Sequence, residues 1–355
     1  MLPEKYKALS DEEAAKRIAK AKEKLGDRVL ILGHHYQRDE VIEFADRMGD
    51  SLYLSKEAAK SNAEYIVFCG VYFMAETADI VARDGQIVIL PDISAGCPMA
   101  DMAPIDEVKN AWENLESLGL TENLIPVTYV NSSAEVKAFC GEREGYVCTS
   151  ANAEVILKKL IEEGKRIFFF PDRYLSTNTA RKLEVKEIAL WQREKQMGDL
   201  SEDGIRNAKI LAWNGFCPVH ARFSSKDIDD LRERYPEIKI IVHPEVPEQV
   251  AQKADLIGST SFIVKQIEDS PSGSVWGIGT EIHLVGRLAK QHPDKKIFLI
   301  GTPICMCSMM DRISPQYLLW VLESLLEGEV VNRVKVPEKV KIAALKALNR
   351  MYELS

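Results

Sequence analysis

Seven cysteines stand in the 355-residue chain: Cys69, Cys97, Cys140, Cys148, Cys217, Cys305 and Cys307. An odd number in a long chain makes a poor disulfide framework. Each is therefore a small buried apolar side chain or a thiol with chemistry to do. Cys69, Cys140 and Cys148 read as packing. Cys97, Cys217 and the Cys305/Cys307 pair differ, because each follows a short apolar run: QIVILPDISAGC, KILAWNGFC and KKIFLIGTPICMC. The chain has no CxxC pair, the usual mark of a structural zinc site; the nearest approach is Cys305-Met306-Cys307. Three thiolates without a fourth suit a [4Fe–4S] cluster with one iron left open as a Lewis acid. Such a site favours dehydration chemistry over an electron relay. On spacing alone, zinc and plain structural thiols remain open alternatives.

Ionisable groups occupy the same kind of position. His34 and Tyr36, Tyr129 and Asn131, and His243 and Glu245 all come at the ends of apolar runs. Two histidines at equivalent places suit acid–base work, although a lone histidine is more often structural. Ser51, Ser150 and Thr260 open expected helices. A helix start offers unpaired N–H groups and a positive dipole end, so a hydroxyl there makes an anion site. Each taken singly reads as an ordinary N-cap; three at one repeat position point to a substrate with several anionic groups. His220 reads as orienting its loop, His283 as a lining residue, and His292 as solvated. Met306, Met309 and Met310 read as packing around the last cysteines.

These groups need a frame to bring them together. Ser10-Asp-Glu-Glu opens a helix over Ala14–Leu25, and Gly26-Asp27 ends it. Short apolar runs then alternate with amphipathic stretches, the pattern of α/β units with parallel sheets. Four features recur three times in one order. A first strand ends in polar residues (VLILGHHYQ, IPVTYVNSS, IKIIVHPEV). A Ser or Thr then opens a helix (GDSLYLSKEAA, CTSANAEVILKKL, GSTSFIVKQIE). A third element is an apolar strand with a polar loop (YIVFCGVYF, RIFFFPDRY, VWGIGTEIH), and a fourth strand leads to a cysteine. The expectation is three similar three-layer α/β domains around a pseudo-threefold axis, over residues 1–103, 104–216 and 217–330. A C-terminal amphipathic helix over 331–355 would dock on the body. Ligand groups lie at the carboxyl ends of parallel strands, so the active site would lie at the centre, with one cysteine from each domain.

Composition narrows the class. Lys and Arg number 46 against 54 Asp and Glu, a net charge of −8, which argues against a nucleic-acid surface as the main business. Hydrophobic residues at 46% and charged residues at 28% exclude a disordered chain. No apolar run approaches the roughly 18–20 residues of a membrane span. The start, MLPEKYK, is polar and shows no signal-peptide pattern, so a cytoplasmic protein is expected.

The chain resembles the quinolinate synthase family, the iron–sulfur enzymes of de novo NAD biosynthesis. The resemblance rests on GHHYQRDEV with GDSLYLS, VYFMAETA, AGCPMADM, TYVNSSAEVKA with CTSANA, FFFPDRYL, NGFCPVH, HPEVP with ADLIGSTS, WGIGTE and CMCSMMDRI, in family order over nearly the whole chain. It implies three α/β domains and a [4Fe–4S] cluster on Cys97, Cys217 and one of the last pair. The family's last ligand is commonly followed by methionine three residues on; Cys307 has Met310 there and Cys305 has Ser308, which selects Cys307. The resemblance implies substrate contacts at His34, Ser51, Tyr129, Asn131, Ser150, His243, Glu245 and Thr260. It makes Tyr36 the catalytic tyrosine, with His243 and Glu245 moving protons. Two departures stand out. Many members have Asn where this chain has His35, and many have a shorter PD-x-N-L-G stretch where it has PDRYLSTN.

The implied reaction condenses iminoaspartate with dihydroxyacetone phosphate, releases phosphate and two waters, and closes a pyridine ring. Two carboxylates and a phosphate match the expected anion sites. Iminoaspartate hydrolyses readily, so the family's supplier, L-aspartate oxidase, is an expected transient partner; neither nucleic acid nor membrane is. Competing readings are a metal-responsive sensor, a different cluster-dependent hydro-lyase, and a metal-free sugar-phosphate enzyme.

Overall fold

The computed structural model describes residues 1–192, 201–301 and 305–354. Residues 302–304, within the apolar run that leads to the last two cysteines, lie outside the described residues. The opening helix runs over Asp11–Leu25, and Ser10 Oγ accepts from the Glu13 N–H as its N-cap. The first group of strands is β1 (Val29–His34), β2 (Arg47–Gly49), β3 (Tyr65–Cys69) and β4 (Ile87–Ile89). The second is β5 (Leu124–Tyr129), β6 (Tyr146–Cys148), β7 (Arg166–Phe170), β8 (Ile188–Trp191) and β9 (Ile210–Trp213). The third is β10 (Lys239–Val242), β11 (Leu256–Ile257), β12 (Val275–Gly279) and β13 (Lys296–Leu299). A last strand, β14, covers Arg333–Val334.

These strands form three sheets, ordered β14-β4-β3-β1-β2, β6-β5-β7-β9-β8 and β11-β10-β12-β13. All pairs are parallel except β14 with β4. The expected α/β class with parallel sheets is what the chain adopts. Numbered within its own repeat, each sheet runs second-first-third-fourth; β8 and β14 are additions at edges. In that order the chain reverses direction between the first and third strands, and the carboxyl ends of those two strands flank a natural binding crevice. The central strands read as near-continuous apolar runs because helices cover both faces. Every residue of β3 is buried, and so are Phe168, Phe169 and Phe170 of β7. In the second sheet the Phe168 and Phe170 rings lie 4.5 Å apart, and Phe170 lies 5.7 Å from Trp213.

By contacts the chain divides into two compact units. One comprises Met1–Cys97, Glu281–Arg287 and Met306–Val336 and holds the first sheet. The other comprises Pro98–Thr280, Leu288–Cys305 and Pro337–Ser355 and holds the second and third. In the second unit the helix Glu338–Tyr352 lays Ala343, Ala344, Ala347, Leu348 and Met351 against the helix Ala134–Glu142. The approach is close: a Cβ on Gly141 would run into the Ala343 carbonyl oxygen. The helix expected from residue 331 starts later, because Pro337 fixes an extended entry and Arg333–Val334 are taken up by β4.

Candidate functional site

In the first unit, His34 is the last residue of β1 and is buried. Its Nδ1 accepts the Tyr36 N–H at 3.1 Å, and the two rings meet edge-on at 4.8 Å. The loop that carries them is clamped. Buried Arg287 donates to Asp39 Oδ1 at 2.8 Å, to the His35 carbonyl at 2.9 Å and to the Gln37 carbonyl. Gln37 Nε2 donates to the Met310 carbonyl at 3.1 Å, and Arg38 pairs with Asp311 at 3.0 Å. The loop is thus fastened to the short helix Ser308–Asp311, whose N-cap position is Cys307. The Cys307 N–H donates to Glu281 Oε1 at 3.3 Å. Glu281 is fully buried and also takes His283 Nδ1 at 2.8 Å, a hydrogen bond that raises the His283 pKa. Cys97 lies in the loop after β4, where the Ala95 carbonyl accepts the Tyr72 N–H at 2.8 Å.

The second unit gathers more of the expected residues. Tyr129 ends β5, and the following turn is held by Ser132 Oγ, which donates to the Tyr129 carbonyl at 2.8 Å. The ammonium of Lys137, itself fully buried, donates to the Ser132 carbonyl. Asn131 lies within that turn. His243 and Glu245 follow β10, and Asn178 steadies them by donating Nδ2 to the Pro244 and Val246 carbonyls at 2.9 Å each. His220 Nδ1 lies 2.8 Å from Glu245 Oε2 and 3.2 Å from Cys217 Sγ, while its Nε2 lies 3.1 Å from Thr280 Oγ1. The His220 and His243 rings stack at 4.7 Å. Tyr129 hydrogen-bonds to the Glu245 carboxylate. Tyr129, Cys217, His243 and Glu245 therefore converge, with His220 as the hub.

Two buried carboxyls here are driven apart. Burial raises Asp172 well above the usual carboxylate range, and the neighbouring charge of Glu245 adds to it. Burial acts on Glu245 in the same sense, but His243, His220 and Tyr129 outweigh it and hold that carboxyl below the usual range. Burial also holds His243 neutral, with its pKa lowered to about 3. Burial thus pushes Asp172 towards its protonated form and His243 towards the neutral imidazole, while Glu245 is held as the carboxylate, which pulls the two carboxyls towards acid and base roles.

The three hydroxyl positions require a correction. Ser51 and Thr260 do open the helices Ser51–Lys60 and Thr260–Glu268, but the cap is the residue before each. Asp50 Oδ1 accepts the Tyr53 N–H at 2.9 Å, and Ser259 Oγ accepts the Phe262 N–H at 3.3 Å. Ser150 precedes its helix, which begins at Ala153; it lies in a turn where Asn152 Oδ1 accepts the Thr149 N–H at 2.7 Å. Ser150 and Ser259 line one cavity of about 400 Å³ together with Asn178, Arg181 and Lys182. The cavity is also lined by Glu154, which pairs with Lys182, so Arg181 and the start of the Thr260 helix are what it offers an anion.

Exposure sorts the thiols. Cys97, Cys217 and Cys307 are half-buried, whereas Cys69, Cys140, Cys148 and Cys305 are buried. Burial raises the Cys69 pKa to about 12 and pushes Cys140 and Cys148 up as well. Sequence reasoning assigned no role to Asp172 or Glu281, and gave His220 only that of orienting its loop. Asp172 and Glu281 share a signal: each lies two residues beyond the third strand of its repeat, after β7 and β12 respectively.

The family model described as NadA, "Quinolinate synthetase A protein", matches residues 16–353. Among curated proteins, quinolinate synthase of Corynebacterium glutamicum is 51% identical over 357 residues, covering 100% of this chain and 91% of that protein. The quinolinate synthase of Nocardioides sp. is 50% identical, covering 97% of this chain and 90% of its own length. That of Anoxybacillus flavithermus is 50% identical, with 99% and 96% covered.

Proposed function

We propose, on the premise that this chain belongs to the quinolinate synthetase A family, that it condenses iminoaspartate with dihydroxyacetone phosphate. The products are quinolinate, phosphate and two waters, and the step belongs to de novo NAD biosynthesis. The chain is an enzyme of that family. One observation supports the reading most: the half-buried Cys217 thiol stands within 3.2 Å of His220, whose other contacts lead to Glu245 and Thr280. A thiol against a buried acid–base set is what metal-assisted dehydration needs.

Cys97, Cys217 and Cys307 are the thiols that would hold a [4Fe–4S] cluster. They are half-buried where the other four cysteines are buried, and soft thiolates are the donors that iron–sulfur clusters take. When bound, such a cluster supplies a Lewis acid for loss of a hydroxyl. The residues of the chain do the rest. Glu245 accepts a proton from carbon or nitrogen as the enamine forms, and neutral His243 relays it. Asp172, pushed up by burial and by the charge of Glu245, favours its protonated form beside it. Tyr36, set by its backbone bond to His34, assists isomerisation and ring closure. His34, Ser51, Tyr129, Asn131, Ser150 and Thr260 hold carboxylates and phosphate, and Arg181 beside Ser150 strengthens that hold. Among the described residues no helix is long and apolar enough to cross a membrane. Seven free thiols suit the reducing cytoplasm, where L-aspartate oxidase would supply the labile imine.

An anaerobic assay tests this reading. The purified chain should be brown, should carry iron and sulfide in cubane ratio, and should form quinolinate only when both substrates are present. A fully loaded protein that makes no quinolinate from them refutes the substrate assignment. Full activity in Cys217→Ser refutes the cluster.

A further inference from the structure

Cys217 Sγ, His220 Nδ1 and a Glu245 carboxylate oxygen all lie within 4.8 Å of one another, and His220 and Glu245 are buried. We propose that this trio is itself a mononuclear site for a zinc-class divalent ion in the cluster-free chain. One thiolate, one imidazole and one carboxylate form a three-ligand set that leaves a fourth position open for water.

The geometry is close to what such an ion requires. Tetrahedral zinc bonds of about 2.3 Å to sulfur and 2.0–2.1 Å to nitrogen and oxygen place sulfur and nitrogen about 3.6 Å apart, and nitrogen and oxygen about 3.3 Å apart. The observed separations are 3.2 Å for Cys217 Sγ to His220 Nδ1 and 2.8 Å for His220 Nδ1 to Glu245 Oε2. Opening each by a few tenths of an ångström admits the ion. The outer shell is present too. Metal-ligating histidines generally give their second ring nitrogen to a fixed partner. Here His220 Nε2 faces fully buried Thr280 at 3.1 Å. Binding the ion exchanges the His220 Nδ1–Glu245 hydrogen bond for two bonds to the metal: the proton sits on Nε2, which donates to Thr280, and Nδ1 turns its lone pair to the ion. Tyr129 hydrogen-bonds to the Glu245 carboxylate, and the stacked His243 ring bounds the other side. Charge balances as well: thiolate and carboxylate neutralise a dication, which a buried site requires.

Neither Cys97 nor Cys307 takes part, so the trio needs no cluster to form, although it shares Cys217 with the cluster reading. If that reading holds, one consequence follows: Cys217 cannot serve both, and zinc loading excludes the cluster.

Cobalt(II) titration of the full-length, metal-free chain under anaerobic conditions tests the proposal. Cobalt should bind at one equivalent with a thiolate charge-transfer band and tetrahedral ligand-field bands. Cys97→Ser/Cys307→Ser should keep the spectrum. Cys217→Ser should lose the charge-transfer band. Glu245→Gln and His220→Asn should each weaken binding by at least ~10-fold, with far-ultraviolet circular dichroism unchanged. Loss of the spectrum in Cys97→Ser/Cys307→Ser places the ion on the three cysteines and overturns the proposal. So do undiminished binding in Glu245→Gln and the absence of any band in the parent chain. None of these results depends on quinolinate formation.

Discussion

The His35 side chain is buried with Nδ1 unpartnered. Burial lowers its pKa from the ordinary 6.5 to about 4; nearby Arg287 adds to the fall and Asp50 opposes it. The folded chain therefore resists protonating His35, while the unfolded chain accepts that proton below 6.5. Stability must fall as pH drops from about 6.5 to about 4, and then level off. At about 1.4 kcal/mol per tenfold in proton affinity, the gap amounts to about 3 kcal/mol. His35→Asn removes the titrating group and keeps the backbone bonds of residue 35, which run from its N–H to Gly49 and from Arg287 to its carbonyl. The variant and parent, both cluster-free, should have nearly equal urea midpoints above neutral pH. On acidification the variant should gain relative to the parent by up to about 3 kcal/mol. Every other group titrates in both proteins and cancels in the difference. Midpoint curves that stay parallel from neutral pH down to pH 4 refute the reasoning.

Three further outcomes are expected. Tyr36→Phe should abolish turnover while iron and sulfide content stays at the parent level; normal turnover removes the hydroxyl from the chemistry. In the cluster-free chain, iodoacetamide at neutral pH should label Cys97, Cys217 and Cys307 well before Cys69, Cys140 and Cys148, whose thiols burial pushes up. Peptide mass spectrometry reads the order, and equal labelling of Cys148 and Cys307 contradicts it. Gly141→Ala should destabilise the chain by about 1–3 kcal/mol, a few degrees in Tm, because its Cβ meets the Ala343 carbonyl; an unchanged Tm refutes that packing account.

The sheets were legible because the signal is local. An apolar run such as Ile167–Phe170 can be satisfied only as a strand covered on both faces, and four such features recurring in order give one topology three times. The edge strand Ile188–Trp191 was not legible, since it lies outside that repeat and half of its residues are only partly buried. The caps of the Ser51 and Thr260 helices fall one residue earlier than the hydroxyls for a physical reason. Asp50 and Ser259 are as good cap residues as the hydroxyls after them, and only the backbone turn decides between neighbours. The hydroxyls of Ser51 and Thr260 are in consequence not the groups that cap their helices.

The acid–base pair was hidden because its members lie far apart in sequence and their roles depend on burial. Nothing about Asp172 as a residue type says that it is fully buried beside Glu245. Aligning the repeats by strand end would have exposed it. Two residues past the third strand stand Val71, Asp172 and Glu281. Glu281 holds the Cys307 N–H and His283; Asp172 takes a backbone hydrogen bond from Cys217 and lies near the charge of Glu245, which reaches His220. The same structural position thus supplies, in two of three repeats, a buried carboxyl linked to a half-buried thiol. Where the repeat has valine instead, no such link can form, and the surroundings of Cys97 must be built differently. Replacing Glu281 by Gln should therefore disturb the Cys307 segment and leave the reactivity of Cys217 and Cys97 unaltered.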